Sequence, residues 1–117
     1  MNATFDETVP PTPVSHYGVT KLAAEQLVLE SSRLGELKAC SLRLYSVYGP
    51  RERPEKLYTK LIANALHNIP FPLFKGSENH LRSFTYVQDI LDGVVSVIDK
   101  VDLVNGEVIN LGTEEEN

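Results

Sequence analysis

A single cysteine, Cys40, leaves this 117-residue chain without an internal disulfide, which suits a reducing cytoplasm. Set in an apolar run, Cys40 reads as a small buried hydrophobe rather than a nucleophile. The three histidines, His16, His67 and His80, lack the spacing of metal ligands, so no metal site is expected. Basic side chains are the minority, 11 against 16 acidic ones, for a net charge of −5. That balance argues against a general nucleic-acid or anionic-membrane binder, while leaving room for a local basic pocket. No apolar run reaches membrane-spanning length, and the charged, proline-containing start does not read as a signal peptide. Internal repeats and low-complexity segments are also absent. What remains is a chain with 42% hydrophobic residues, one domain or part of one, with enough apolar content to bury a core.

Residues 1–13 carry three prolines and no periodicity, and read as an extended lead-in. Ser15 is a plausible N-cap for a helix running to about Arg33. Val19, Leu22, Ala23, Leu27 and Val28 form its apolar stripe, with Glu25 and Glu30 towards water. Leu34-Gly35 is the stop, the glycine supplying a left-handed turn. Ala39 to Val47 reads as one strand, buried on both faces as in a parallel sheet. Arg51 to Lys56 is a charged loop, and Leu57 to Asn68 has helical period. Ile69 to Lys75 reads as a short strand, Gly76 to Asn79 as a turn, and Arg82 to Val87 as a half-buried strand. A second amphipathic helix follows from Asp89 to about Lys100, with Ile90, Val94, Val97, Ile98 and Val101 on its core side. Asn105-Gly106 makes a tight turn before a last strand, Glu107 to Leu111.

Within the first helix, Tyr17 and Lys21 stand four residues apart, hence on one face. A free tyrosine ionises near pH ~10. A fixed ammonium within reach favours the ionised form, and a shift of about three units would bring the phenol near its working midpoint. Such a phenol can take a proton from a substrate hydroxyl or return one to a carbonyl. A half-buried ring beside a solvated amine is the duller alternative for the same spacing.

The surroundings of the pair add to this. The pattern P-x-x-x-Y-G-V-T-K-L-A-A-E-Q-L, residues 13 to 27 with the prolines before them, resembles the active-site helix of the extended short-chain dehydrogenase/reductases, specifically the nucleotide-sugar epimerases and dehydratases. Leu42-Arg43-Leu44-Tyr45-Ser46-Val47-Tyr48-Gly49-Pro50-Arg51 is similar to that family's L-R-x-x-N-V-Y-G-P-R strand and loop. Phe74-Lys75-Gly76, then Leu81 to Asp89, is similar to its F-G-x-G-x-x-x-R-D-F-x-Y-V-x-D block. Asn110-Leu111-Gly112 matches the N-x-G that closes a later strand. The blocks come in family order across nearly the whole chain.

The resemblance implies an α/β fold. It would be a partial Rossmann-like unit (active-site helix plus one parallel strand) over residues 1–50, with a small α+β substrate-binding part over residues 51–117. It implies that Tyr17 is the acid/base, and that Lys21 holds the nicotinamide ribose of NAD and lowers the pKa of Tyr17. Tyr45 would touch the nicotinamide end. Ser46 falls where many members place an asparagine on the sugar diphosphate, and a serine offers fewer hydrogen-bonding groups there. Leu57 would line the substrate. Pro72, Leu73 and Phe74 would receive the base of a UDP- or dTDP-sugar, an aromatic ring stacking on it. Arg82 would fork onto the diphosphate, a role suited to bidentate geometry. Ser83 stands where aspartate is commoner. Each has a plainer alternative: Phe74 as core, Arg82 as a solvated charge, Arg51 and Arg53 as a solvated loop, and Asp89 as a helix N-terminal charge.

The family's glycine loop, G-x-x-G-x-x-G after a first strand, is absent from these residues. That loop brings backbone N–H groups against the NAD pyrophosphate. The tyrosine's serine or threonine partner would lie upstream of Met1. The expectation is therefore the back portion of a longer cytoplasmic NAD-dependent epimerase or dehydratase, without turnover by itself. The alternative is a remnant that binds nucleotide-sugars or acts in assembly. An unpaired parallel strand and the broad stripe of the Tyr17 helix, which pairs with its twin in the family, predict a homo-oligomer.

Overall fold

The computed structural model describes residues 6–77 and 82–113. Eight elements follow in the order α1 (His16–Arg33), β1 (Ser41–Leu44), β2 (Ser46–Tyr48), α2 (Leu57–Leu66), β3 (Phe84–Tyr86), α3 (Val87–Ile98), α4 (Val101–Val104) and β4 (Val108–Leu111). The strands form two parallel pairs, β1 with β4 and β2 with β3, each joined by a crossover that contains helix.

Helix α1 has the predicted limits. Ser15, extended at φ −145° and ψ 157°, accepts a hydrogen bond from Gly18 N–H at 3.1 Å, satisfying one of the orphan donors of the first turn. At the other end Leu34 caps the helix and Gly35 takes a φ of +74°, which an L side chain resists.

Several expectations are corrected. Ala39 to Val47 is two strands, because the chain changes sheets at Tyr45: β1 takes β4 as partner and β2 takes β3. Residues of both strands are half-buried, and Leu44 is exposed. No strand forms over residues 69–75. Pro70 and Pro72 have no N–H for a ladder. Helix α2 ends two residues early, with Asn68 in the left-handed region at φ 53°, which asparagine tolerates. Helix α3 begins at Val87 and ends at Ile98, and α4 was not foreseen. The predicted 76–79 turn falls partly outside the described residues. Asn105-Gly106 turns as expected, and its side chain also ties elements together: Asn105 Oδ1 accepts from Ser32 Oγ and from Ala39 N–H, both at 2.9 Å.

The inward row of α1 is Leu22, Glu25, Leu29 and Ser32, spaced 3, 4 and 3 as one helical face requires. Glu25 therefore faces β1 and not water, while Val19 and Leu27 of the expected stripe are exposed. Among the described residues, Leu29 and Ile90 are the buried apolar side chains. The radius of gyration is 17.1 Å, against about 13 Å for a compact chain of this length. The expected core is thus only partly assembled within these residues.

Candidate active site

Because β1 and β4 run parallel, their carboxyl ends lie together, and the chain leaves β1 there to enter the second sheet. Open α/β sheets hold ligands in the crevice outside the carboxyl ends of their strands. Two clefts open at this place and meet at Tyr17.

The first, of about 730 Å³, runs between α1 and β1, with Tyr17, Lys21 and Glu25 on the helix side and Ser41 and Arg43 on the strand side. Tyr17 lies in the first turn, three-quarters exposed, and Lys21 one turn on is exposed beside it. Pro13 packs against the same turn, where a Cβ on Gly18 would approach its ring to 3.0 Å. Glu25 forms the charged floor. Its Oε1 accepts from Arg43 Nη2 at 2.7 Å, and its Oε2 accepts from Arg43 Nε at 2.9 Å and from Ser41 Oγ at 3.0 Å. The Arg43 hydrogen bonds hold the Glu25 carboxyl below its ordinary range, against the opposing effect of burial. The reciprocal bonds raise the Arg43 pKa further. This pair neutralises itself, and among the described residues Lys21 has no ion-pair partner.

The second cavity, of about 560 Å³, is lined by Tyr17, Tyr45, Ser46, Lys56, Arg82 and Ser83, with Leu44 and Val47. Tyr17 and Arg82, 65 positions apart in sequence, thus line one cavity together with Tyr45 and Ser46. Two cations and no carboxylate belong to this lining among the described residues, in a chain whose net charge is −5. Such a pocket favours an anion. Leu57, Pro72, Leu73 and Phe74 line neither cleft, and the last two are each 81% exposed.

Two groups were passed over in the sequence. Lys56 ends a charged loop that reads as solvated, yet it sits at the N-cap position of α2 and so beside the cavity. Its place directly before the helix was the available signal. Glu25 was assigned to water, although it follows Lys21 by one turn and Arg43 stands on the facing strand.

Comparison with known proteins now decides the family. The pattern of the NAD dependent epimerase/dehydratase family matches residues 2–112. The chain belongs to that family. It is 38% identical over 104 residues to the uncharacterized UDP-glucose epimerase YtcB of Bacillus subtilis, covering 89% of this chain and 32% of that protein. With the dTDP-glucose 4,6-dehydratase of Neisseria gonorrhoeae it shares 35% identity over 112 residues, 96% of this chain and 32% of the relative. Among solved structures, dTDP-glucose 4,6-dehydratase of Bacillus anthracis in complex with NAD superposes with a TM-score of 0.88 at 31% identity, over 97% of this chain and 35% of that one. UDP-glucuronic acid 4-epimerase of Bacillus cereus, in complex with UDP-glucuronic acid and NAD, superposes with a TM-score of 0.86 at 36% identity, over 97% and 36%. This chain therefore spans about a third of the length of these two curated relatives. Its parallel strands and helices have the Rossmann-like α/β architecture of those neighbours. No helix among its described residues is long and apolar enough to cross a membrane.

Proposed function

We propose that this chain supplies the acid/base helix and the sugar-diphosphate pocket of an NAD-dependent nucleotide-sugar epimerase or dehydratase. The observation that carries the reading is the position of Tyr17 at the junction of two clefts, with Lys21 in one and Arg82 and Lys56 in the other. The first cleft fits the ribose end of NAD in its donor set: a phenol and an ammonium one helical turn apart. Bound NAD supplies a hydride acceptor and donor for a sugar carbon. Tyr17 takes the proton of a sugar hydroxyl and later returns it, with the Lys21 ammonium beside it stabilising negative charge on the phenol oxygen. Tyr45 bounds the nicotinamide end. Arg82 and Lys56 offset the charge of a diphosphate, and Ser46 offers it a hydroxyl. Leu57, Pro72, Leu73 and Phe74, which line neither cleft, are assigned to the base by the family resemblance alone, the Phe74 ring being exposed. The substrate is a UDP- or dTDP-sugar.

A second reading, a non-catalytic module that binds nucleotide-sugar and assembles with copies of itself, has its own observation. Leu27, Leu66, Leu73 and Phe74 are each more than 70% exposed. Apolar surface on this scale favours association into a homo-oligomer, although the strand expected to be unpaired is not, β1 pairing with β4 and β2 with β3.

Calorimetric titration with UDP and dTDP, paired with turnover assays using NAD and UDP-glucose, dTDP-glucose or UDP-glucuronic acid, tests both. Turnover lost in Tyr17→Phe supports the catalytic reading. Nucleotide binding that Arg82→Gln weakens, without turnover, is the outcome either reading expects of these residues by themselves, whereas any turnover sinks the module. Absence of nucleotide binding overturns both, and a monomer by sedimentation at high concentration removes the assembly claim.

A further inference from the structure

The segment that closes β4, residues 111–113, touches both walls of the cationic cavity. Towards the Tyr45 wall, the Leu111 carbonyl accepts from Tyr45 N–H at 3.3 Å. The Gly112 backbone lies so close to the Tyr45 ring that a Cβ there would sit 2.3 Å from Cδ2 and 2.8 Å from Cγ. Towards the Arg82 wall, Ser83 Oγ donates to the Thr113 carbonyl at 2.7 Å and lies 3.2 Å from Thr113 Oγ1. The Thr113 N–H in turn donates to Thr85 Oγ1 at 2.9 Å. Ser83 and Thr85 are 5% and 2% exposed. Hydroxyls so enclosed need protein partners, and this segment provides them.

We propose that Gly112, Thr113 and Ser83 are positioning residues, which hold Tyr45 and Arg82 at a set separation across the cavity and so tune its affinity for a nucleoside diphosphate. The physical link is adjacency along the chain. Ser83 and Thr85 are buried and clasped, whereas the residues directly before them, Arg82 and Phe84, are not buried. Arg82 itself is exposed and long, so the direction of its guanidinium depends on how firmly the next residue is held. Serine suits the clasp because its hydroxyl donates to the Thr113 carbonyl. An ionised aspartate at this position could not donate, and it would bring a negative charge to the cavity lining. The ligand named here rests on the proposed function, whereas the clasp does not.

The test uses the full 117-residue chain, with UDP as the probe in calorimetry and ¹⁵N relaxation of the Arg82 Nε–H as the ligand-free readout. Ser83→Ala is expected to weaken UDP binding about tenfold, the equivalent of one hydrogen bond, and to raise the mobility of the Arg82 side chain. In an Arg82→Gln background the same change is expected to alter binding less than about twofold, since its effect passes through Arg82. Thr113→Val, nearly the same shape as threonine, keeps the carbonyl and stands in should Ser83→Ala unfold. It weakens binding by a smaller factor, which Thr113→Ser restores. An equal loss in both backgrounds, or an Arg82 side chain no more mobile in Ser83→Ala, overturns the proposal. If the unaltered chain binds no UDP, the proposed function falls. The relaxation comparison then decides the clasp alone: greater Arg82 mobility upholds it and unchanged mobility removes it.

Discussion

The Glu25–Arg43 pair is the polar tie that holds the Tyr17 helix on β1, and replacing Glu25 with glutamine tests it directly. Glu25 is 9% exposed and Arg43 26% in their side chains. The substitution keeps the shape but leaves an amide oxygen where two carboxylate oxygens accepted three hydrogen bonds. A hydrogen bond to a charged partner is worth about 1.5–3 kcal/mol, and the three are not additive. Arg43 retains access to water, so the loss falls short of that for a fully buried pair, and about 2 kcal/mol at pH 7 is expected. For a chain of this length that lowers the melting temperature by about 8 °C. The pH dependence has a defined sign. The folded Glu25 carboxyl titrates below its ordinary value of 4.5. Its contribution is therefore complete above that value and is lost as pH falls through the lower, folded one. Melting curves followed by circular dichroism at pH 7 and at about pH 3 supply the assay, with Arg43→Met and the double variant completing a cycle. A Glu25→Gln penalty that persists undiminished in acid, or a coupling below about 0.5 kcal/mol at pH 7, the level of an exposed pair, would refute the reasoning.

Ser15→Ala removes the side-chain cap of α1 and is expected to cost about 1 kcal/mol in urea denaturation, with faster amide exchange at Gly18. Unchanged exchange there would show that the first turn, which carries Tyr17, does not depend on the cap. Asn105→Ala leaves the Ser32 hydroxyl and the Ala39 N–H without their shared acceptor, and a loss of about 1–3 kcal/mol by the same denaturation is expected. A neutral result would mean that water replaces the amide at no cost.

Much of the local structure was legible because its causes are local. The limits of α1 follow from a serine cap and a glycine stop fifteen or more residues apart, and the Tyr17–Lys21 alignment follows from the helical repeat alone. Helices α2 and α3 could be placed to within two residues of their limits for the same reason. The false strand over residues 69–75 arose from weighing apolar content above the two prolines. The break at Tyr45 had no comparable signal, since an apolar run looks alike whether it serves one sheet or two.

The sequence by itself thus determined which side chains share a helical face, where that helix begins and ends, and to which family the motifs belong. Only the tertiary structure decided that Glu25 turns to Arg43, that Lys56 and Arg82 meet at one cavity, and that residues 111–113 brace both of its walls. Those outcomes depend on which strand finds which partner. That choice is made by contacts between residues many tens of positions apart, and no local spacing encodes it.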